Sequence, residues 1–514
     1  MLSENDLNLH FNTISPSCDI SVHANLSRQE QQENIGDRGI TKMAGRFLLL
    51  ANAVLVGFYL QESKQSNVYR FGTKTAYHFD NTSVSSLKYP EHCQPVHLNM
   101  VIRHGSRYPS DGDREEMDDL LNKLNEIYTV SSPFRFKNLT LPWNKPREWN
   151  DAEPSELSSV GENEQYNIAK RFRSRFPEVF VKEYWNKYYK FESADKLRTA
   201  QSAMSFAYGL FEARGPVTPS KFQPVAITFS GRENDRLLSS YKWCPRYETD
   251  VEEHGVAEVE RFVQGPEIKN LTKQLEKRLQ ITGKLSLTFD LVEKIFRLCA
   301  FGVMNRRDSS WCSLLNEGDI KVLEYQDDLE NYYEHSYGNS LNHKIECTLL
   351  SDITQHLRDF SMGKSAFRGV FRFTSSGTLV SLLTILGLFR DPVPLRADNY
   401  IQQSKRQFMI SNMVPMSANI AFVLSACNST EKAGKLEHKL QVLVNEKPVA
   451  LSCCHGNTTC GLDEFLTCFK KTVDGCDFDA MCSLPPTGNP RASTSTSSPL
   501  HVFMSLSLIL ALIF

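Results

Sequence analysis

The sequence predicts an α/β fold, because short strand-like runs alternate with longer segments of helical periodicity. From Val96 onward apolar and polar residues alternate, and the run continues through Val101-Ile102, which indicates a buried strand that ends at Arg103. Residues 188–192 and 369–373 indicate two further strands, and a helix-like segment follows each of them. The chain has 514 residues, of which 41% are hydrophobic, so it can bury a large core and hold two subdomains.

Two segments precede the first strand. Residues 1–42 form a polar leader, and residues 43–62 contain a short apolar run that follows Arg46. A basic residue before such a run is typical of a signal peptide, and the run is too short for a comfortable membrane span. We therefore expect entry into the secretory pathway, with Met43 as an alternative start of translation. A signal anchor with a short cytosolic tail is the competing interpretation.

The cysteines and the glycosylation sequons agree with that compartment. Of the 13 cysteines only Cys18 lies in the leader, which leaves an even number, twelve, between Cys93 and Cys482. Their spacings lack the paired CxxC knuckles of a zinc site, so we predict disulfide bonds and no metal. Sequons downstream of the apolar run predict a glycoprotein, and they begin at Asn81, Asn138, Asn270, Asn428 and Asn457.

A run of seven residues, Arg103-His104-Gly105-Ser106-Arg107-Tyr108-Pro109, follows the first strand directly. An imidazole nitrogen can attack phosphorus and carry it covalently, and two guanidinium groups can bind the non-bridging oxygens. Gly105 lets the backbone approach a bulky tetrahedral group, and Pro109 restricts the chain as it leaves the turn. The motif therefore predicts phosphoryl chemistry at His104. A basic turn beside a core histidine is the competing interpretation, and the number of defined positions argues against it.

The two later strands bring further polar groups to strand ends. After residues 188–192, Ser193 is a good N-cap for a helix that runs through Phe211, with Arg198 in its first turns. After residues 369–373, Ser376 is a candidate cap for the next helix, and Ser375 offers a hydroxyl. Free N–H groups and the dipole at a helix N-terminus favour an anion there. On pattern alone, Arg198 is a solvated surface residue.

The motif Arg-His-Gly-x-Arg-x-Pro resembles the signature of the histidine acid phosphatases, branch 2 of the histidine phosphatase superfamily. Within that family the chain most resembles the multiple inositol polyphosphate phosphatases, over about residues 89–469. The resemblance implies a Rossmann-like α/β core domain with an inserted, mostly helical cap subdomain. The implied domain covers residues 89–482, with its core at about 89–200 and 350–470. Besides the motif, the segments that carry the resemblance are residues 193–203, 387–391 and 443–447, and the helix-like stretches assigned to the cap are residues 161–176, 273–280 and 289–301.

The resemblance also implies roles for individual residues. His104 would be the nucleophile that forms a phosphohistidine, and Arg103, Arg107 and Arg198 would bind the phosphate. The implied substrates are phosphorylated inositols, including phytate. We predict neither a cofactor nor a metal for this reaction.

One stretch departs from the family pattern. The inositol polyphosphate phosphatases carry His-Ala-Glu after the last core strand, where the Glu protonates the leaving alcohol and the His binds phosphate. Ser375-Ser376-Gly377 stands there in this chain, so Gly377 marks a lost proton-donor position and Ser375 remains a candidate for binding phosphate. We therefore predict a phosphomonoesterase with impaired turnover. The alternatives are a weak or inactive cell-surface phosphoester-binding protein, a replacement donor at Asp111 or Asp113, and an error of the gene model near Thr374.

The chain ends in a Pro/Ser/Thr-rich spacer, residues 483–499, and an apolar tail, residues 500–514. Small residues, a polar spacer and a terminal apolar tail are typical of a GPI-attachment signal, so we expect a cell-surface protein held by a lipid anchor. A tail-anchored helix is the competing interpretation, and the tail is short for one. The candidate attachment residues are Gly488, Asn489, Ala492 and Ser493.

Charge and motifs argue against other classes of partner. The net charge of −2 provides no global field that would attract nucleic acid. The sequence has neither a GxxxxGKS/T phosphate loop nor a glycine-rich dinucleotide fingerprint after a strand. A small phosphorylated molecule is therefore the predicted partner.

Overall fold

The computed structural model describes residues 70–79, 92–130, 148–231, 233–252, 255–283, 286–305, 310–428 and 436–484. The leader, residues 43–62, the tail and almost all of the spacer lie outside these ranges, so the predictions made on them stay predictions. Within the described ranges, no helix combines the length and the apolar character that a membrane crossing needs.

One mixed sheet organises the described residues. Its strands are β1 (Cys93–Arg103), β2 (Tyr189–Ser193), β3 (Thr228–Phe229), β4 (Gly369–Thr374), β5 (Asn419–Asn428), β6 (Leu436–Val444), β7 (Lys447–Pro448) and β8 (Thr459–Gly461). Their order is β3-β2-β4-β1-β5-β6-β7, and β8 pairs with β6. From β3 to β1 neighbouring strands are parallel, whereas β5 and the strands beyond it pair antiparallel. The three predicted strands are therefore neighbours in the parallel half, and the α/β prediction is confirmed.

Helices cover both faces of this sheet. The longer ones are α1 (Asp111–Val130), α2 (Ser159–Arg175), α3 (Leu197–Phe211), α4 (Pro266–Arg278), α5 (Phe289–Met304), α6 (Glu317–His335), α7 (Cys347–Ser361), α8 (Ser376–Ile385) and α9 (Leu462–Asp474). Shorter helical segments are Gly72–Lys74, Glu148–Asp151, Ser240–Trp243, Pro245–Tyr247, Glu248–Glu252, Ala257–Val263, Ser310–Leu314, Ser340–Lys344, Gln402–Lys405, Ile410–Met413, Ser452–Cys454 and Phe478–Cys482. Between β3 and β4, the described part of the chain consists of helices and the loops that join them, without a strand.

Two apolar clusters bury the two faces of the sheet. Leu98, Met100 and Ile102 of β1 face a cluster that includes Phe172 of α2 and Phe206 of α3. Successive side chains of a strand point to opposite faces, and the intervening Val101 accordingly belongs to the other cluster. The expectation that residues 161–176 form part of a cap is wrong, because α2 packs on the sheet beside α3. The helices between β3 and β4 share the second cluster with the sheet, so the boundary between core and cap stays a prediction.

Two predicted helix caps are wrong. Ser193 is the last residue of β2, and its hydroxyl donates to the carbonyl of Ala194 at 2.8 Å, while α3 begins only at Leu197. The strand continues one residue further than predicted, and the chain then needs three residues to turn. Ser376 is the first residue of α8 rather than its cap; Ser375 holds the cap position, and its side chain makes no capping hydrogen bond.

Most of the downstream cysteines are paired. The disulfides join Cys93 to Cys427, Cys244 to Cys482, Cys299 to Cys312, Cys347 to Cys476, and Cys454 to Cys460. Cys453 and Cys468 are free thiols in contact, and burial together with Cys468 raises the pKa of Cys453 to about 12. Cys93–Cys427 links β1 to β5, and Cys347–Cys476 links α7 to the loop after α9.

Three predicted glycosylation residues, Asn270, Asn428 and Asn457, are exposed, as that modification requires.

Candidate active site

The carboxyl ends of three parallel strands meet at one edge of the sheet. The register pairs Arg103 of β1 with Thr374 of β4, and Ser193 of β2 with Phe373 of β4. Beyond the strands, the backbone N–H of His104 donates to the carbonyl of Thr374 at 3.0 Å. This edge is where open α/β sheets bind ligands. The fold therefore brings the Arg-His-Gly motif, the start of α3 and the start of α8 together.

His104 is buried, with 3% of its surface exposed. Its Nδ1 lies 2.9 Å from the carbonyl oxygen of Gly105. A carbonyl only accepts hydrogen bonds, so Nδ1 carries the hydrogen and Nε2 keeps its lone pair. Burial, followed by the charges of Arg198, Arg103 and Arg107, holds the pKa of His104 well below its usual range. The imidazole is thus neutral, and Nε2 is available as a nucleophile.

Arg103 and Arg198 are positive groups with unused donors. Arg103 is 3% exposed and donates from Nη1 to the carbonyl of Val414 at 2.5 Å. The buried Nε atoms of Arg103 and Arg198 have no hydrogen-bond partner among the described residues. Burial and the charge of Arg107 lower the pKa of Arg103 to about 9 and that of Arg198 to about 10. Buried donors without a partner and mutually repelling cations favour the binding of an anion.

Arg107 completes the group of arginines and is held by Asp113. Its Nη1 donates to the carbonyl of Tyr108 at 2.8 Å and lies 3.5 Å from Asp113 Oδ2. Burial acts to raise the pKa of Asp113, but Lys74, Arg107 and hydrogen bonds from Ser110 outweigh it and hold that pKa at about 2. Asp113 is therefore ionised and orients Arg107, which argues against Asp113 as a replacement proton donor. Asp111 is exposed at the first residue of α1.

The loop after β1 is supported by a glutamate that the sequence did not single out. Glu164 of α2 accepts from the backbone N–H of Ser106 at 2.9 Å, from the Ser106 hydroxyl at 2.8 Å and from the Ser417 hydroxyl at 2.8 Å. Gly105 was expected to admit a phosphate, but its immediate neighbour is backbone: a Cβ there would lie 2.6 Å from the carbonyl oxygen of Gly161. The glycine therefore lets α2 approach the loop closely.

Further lysines lie beside the arginines. The pKa of Lys196 is lowered to about 7 by burial, by the charge of Arg198 and by contact with Lys242. Burial, followed by the charge of Arg107, lowers the pKa of Lys74 to about 8. Lys196 lies two residues before Arg198 in the sequence. The sequence could therefore have indicated that a lysine lies beside Arg198 at the start of α3. The cationic surface extends beyond the three predicted arginines.

Ser375 and Gly377 lie at the N-terminus of α8, at the same edge as His104. Ser375 follows Thr374 directly and is half-buried. Gly377 is buried, and a Cβ on it would lie 3.0 Å from Cε1 and Nε2 of His335. No motif in the sequence singled out His335. The structure instead packs its ring directly against the N-terminus of α8.

The fold and this edge together define an α/β protein that presents a neutral imidazole among arginine side chains. The family described as the histidine phosphatase superfamily, branch 2, matches residues 96–445, and the chain belongs to it. The family resemblance predicted from the motif is thereby confirmed. Members of this family are phosphatases, which are hydrolases.

Among curated proteins, the chain is similar to multiple inositol polyphosphate phosphatase 1 of two vertebrates. It is 30% identical to the Gallus gallus protein over 435 residues, which cover 81% of this chain and 92% of that protein. It is 30% identical to the Homo sapiens protein over 443 residues, which cover 80% of this chain and 88% of that protein.

Two solved structures share the fold. The phytase of D. castellii matches with a TM-score of 0.65 at 19% identity, covering 82% of this chain and 88% of that chain. The multiple inositol polyphosphate phosphatase of Bifidobacterium longum, in complex with inositol hexasulfate, matches with a TM-score of 0.62 at 16% identity, covering 78% of this chain and 97% of that chain.

Proposed function

We propose that this protein is a phosphomonoesterase that cleaves inositol phosphates through a phosphohistidine at His104, with slowed turnover. The observation that carries the proposal is the neutral, buried His104, whose free Nε2 lies within the field of Arg103, Arg107 and Arg198. The names of the vertebrate relatives support the substrate class. The cluster of Lys196, Lys242 and Arg198 supports it as well, because a substrate with several phosphates offers an anion to each cation.

The reaction proceeds in two displacements. Nε2 of His104 attacks phosphorus, the bond from phosphorus to the alcohol oxygen breaks, and the departing oxygen takes up a proton. Water then attacks the phosphohistidine, releases inorganic phosphate and returns Nε2 to its free state. The arginines stabilise the negative charge that builds on the phosphoryl oxygens, and the hydroxyl of Ser375 contributes a further donor. No carboxylate stands at Gly377 to protonate the alcohol, and this slows the first displacement.

A second candidate function rests on the same departure from the family pattern, the glycine at position 377 in place of the acid. The arginines that hold phosphate are retained while the acid is missing, so the protein would bind phosphoesters at the cell surface with little or no cleavage. Release of inorganic phosphate separates the two functions, because a binding protein retains its ligand unchanged.

Because the acid is missing, we predict that the rate of cleavage depends on how readily the alcohol leaves without a proton. A phenolate leaves with little protonation, whereas an inositol alkoxide needs a proton. At neutral pH we expect kcat/KM for phytate, relative to that for p-nitrophenyl phosphate, to be about 10²-fold lower than in the Gallus gallus relative. Phosphate release measured side by side on both enzymes checks this. An equal ratio in the two enzymes would mean that another group supplies the proton at neutral pH.

We also infer a cell-surface location with a lipid anchor, supported by the apolar tail and the spacer before it. Phosphatidylinositol-specific phospholipase C is expected to release the protein from intact cells, because the tail is exchanged for the lipid. Detection by immunoblot of the supernatant measures the release. Protein that stays on the cells and still contains residues 500–514 by mass spectrometry would favour the tail-anchored helix.

A further inference from the structure

His335 ends α6 and points its ring at the N-terminus of α8. A Cβ built on Gly377 would lie 3.0 Å from both Cε1 and Nε2 of that ring. A side chain at position 377 would therefore meet the imidazole at its first carbon, and the ring would have to shift by a few tenths of an ångström to admit it. In the family pattern this is the position of the acid that protonates the leaving alcohol. An imidazole from a different helix therefore borders the position at which the family pattern has its acid.

The hydrogen bonds of His335 determine which nitrogen faces the site. The Tyr247 hydroxyl donates its single hydrogen to the carbonyl of Glu334 at 2.7 Å and lies 3.0 Å from His335 Nδ1. The hydroxyl oxygen therefore accepts from Nδ1–H. Nε2 is left as the titrating nitrogen, and it lies on the side of Gly377. The carbonyl of His335 also accepts from the Ser381 hydroxyl at 3.0 Å, which ties the end of α6 to α8.

Tyr241 connects His335 to the phosphate-binding arginines. Its ring centroid is 5.1 Å from that of His335, and its phenol lies within the field of Arg198. His335 therefore lies at the edge of the sheet that carries His104, on the side of α8. The imidazole is not sealed from solvent, because 16% of its side chain is exposed. A leaving group can thus approach it.

We propose that His335 replaces the missing acid, with its Nε2–H donating a proton to the alcohol that leaves phosphorus. This inference rests on the proposed phosphatase function. As the phosphorus–oxygen bond breaks, the proton moves from cationic His335 to the alcohol oxygen, and the imidazole becomes neutral with its hydrogen on Nδ1. In the second displacement Nε2 takes a proton from the attacking water, which restores the cation. No other reactant is needed.

The surroundings of His335 make this donor effective only at low pH. Burial lowers the pKa of His335 to about 4. The groups that face the ring are the phenols of Tyr241 and Tyr247, the N-terminus of α8, and Glu334, whose Oε2 lies 4.0 Å from Nε2. The donor form is the cation, so phytate cleavage should decline as pH rises above the pKa of His335. Substrate phosphates favour the cation and move this decline upward.

The test compares His335→Gln with wild type on phytate and on p-nitrophenyl phosphate across pH. Glutamine keeps the polar contact but cannot transfer a proton. We expect kcat for phytate at low pH to fall at least about tenfold more than kcat for the aryl phosphate, with loss of its rise toward low pH. His343→Gln is the matched control, because His343 is another half-buried histidine with a lowered pKa, on the Ser340–Lys344 helix. It should leave both profiles unchanged.

A rescue variant tests whether the loss of phytate cleavage in the His335 variants comes from the lost proton donor or only from a disturbed structure. Gly377→Glu alone should not restore phytate turnover, since the new side chain meets the His335 ring. Gly377→Glu combined with His335→Gly should recover the phytate cleavage that His335→Gly loses, and should extend it to higher pH. Equal losses on both substrates, or no loss, would overturn the role of His335. Wild-type protein that cleaves the aryl phosphate but never phytate would overturn it as well, and protein that cleaves neither would refute the phosphatase function itself.

Discussion

Replacement of His104 by alanine is expected to abolish phosphate release from phytate and from p-nitrophenyl phosphate alike. Leaving-group quality does not matter here, because the nucleophile is needed for both substrates. Removal of such a group lowers kcat by at least about 10⁴-fold in well-studied covalent hydrolases, and we expect a loss of that order. Phosphate release by purified protein, with a rapid acid-free quench to detect phosphohistidine in wild type, measures the effect.

The His104→Ala variant should still fold and still bind phosphate. His104 is buried, but its side chain makes one hydrogen bond, to the adjacent Gly105, so little else depends on it. Arg103, Arg107 and Arg198 remain, and removal of the imidazole leaves their charges in place. His438→Ala, in β6 and outside the site, is the control and should keep full activity. Turnover by His104→Ala at the wild-type rate would show that the reaction does not proceed through a phosphohistidine at His104.

Arg198→Ala is expected to have the next largest effect. Its buried Nε has no partner in the described residues, and its guanidinium offers paired donors to phosphoryl oxygens. Loss of one preorganised charge donor typically lowers kcat by about 10²–10³-fold, and binding of inorganic phosphate should weaken too. Arg198→Lys should recover part of the loss, because a lysine keeps the charge but cannot bind two oxygens in a fork.

The same variant changes the ionisation of the nucleophile. After burial, the charge of Arg198 is the largest influence that lowers the pKa of His104. Its removal should raise that pKa, so the acid side of the rate profile for p-nitrophenyl phosphate should move to higher pH. Isothermal titration with inorganic phosphate and the pH profile together measure both effects. Arg214→Ala, at an exposed arginine beyond α3, is the control. Unchanged binding of inorganic phosphate by Arg198→Ala would show that Arg198 does not bind phosphate and is a solvated surface residue.

Several local features of this protein were predictable from residues close together in the chain. The apolar alternation that ends at Arg103 predicted β1, and the run over 369–373 predicted β4, because a strand imposes a period of two on its own side chains. The family motif likewise pointed to His104, Arg103 and Arg107, and the family resemblance over residues 193–203 pointed to Arg198. The exact helix starts were missed at Ser193 and Ser376, since turn geometry at a strand end depends on what packs against it.

The contacts that complete the site were beyond such patterns. Glu164 supports Ser106 across 58 residues of chain, and His335 stands against Gly377 although the two belong to different helices. The packing of α2 against the loop after β1 and the packing of α6 on α8 create these neighbours, and neither leaves a periodic signal in the sequence. The sequence itself shows that position 377 is a glycine and therefore has no acidic side chain. That an imidazole lies beside this position follows only from three-dimensional packing, because helices far apart along the chain must bury their faces against one another.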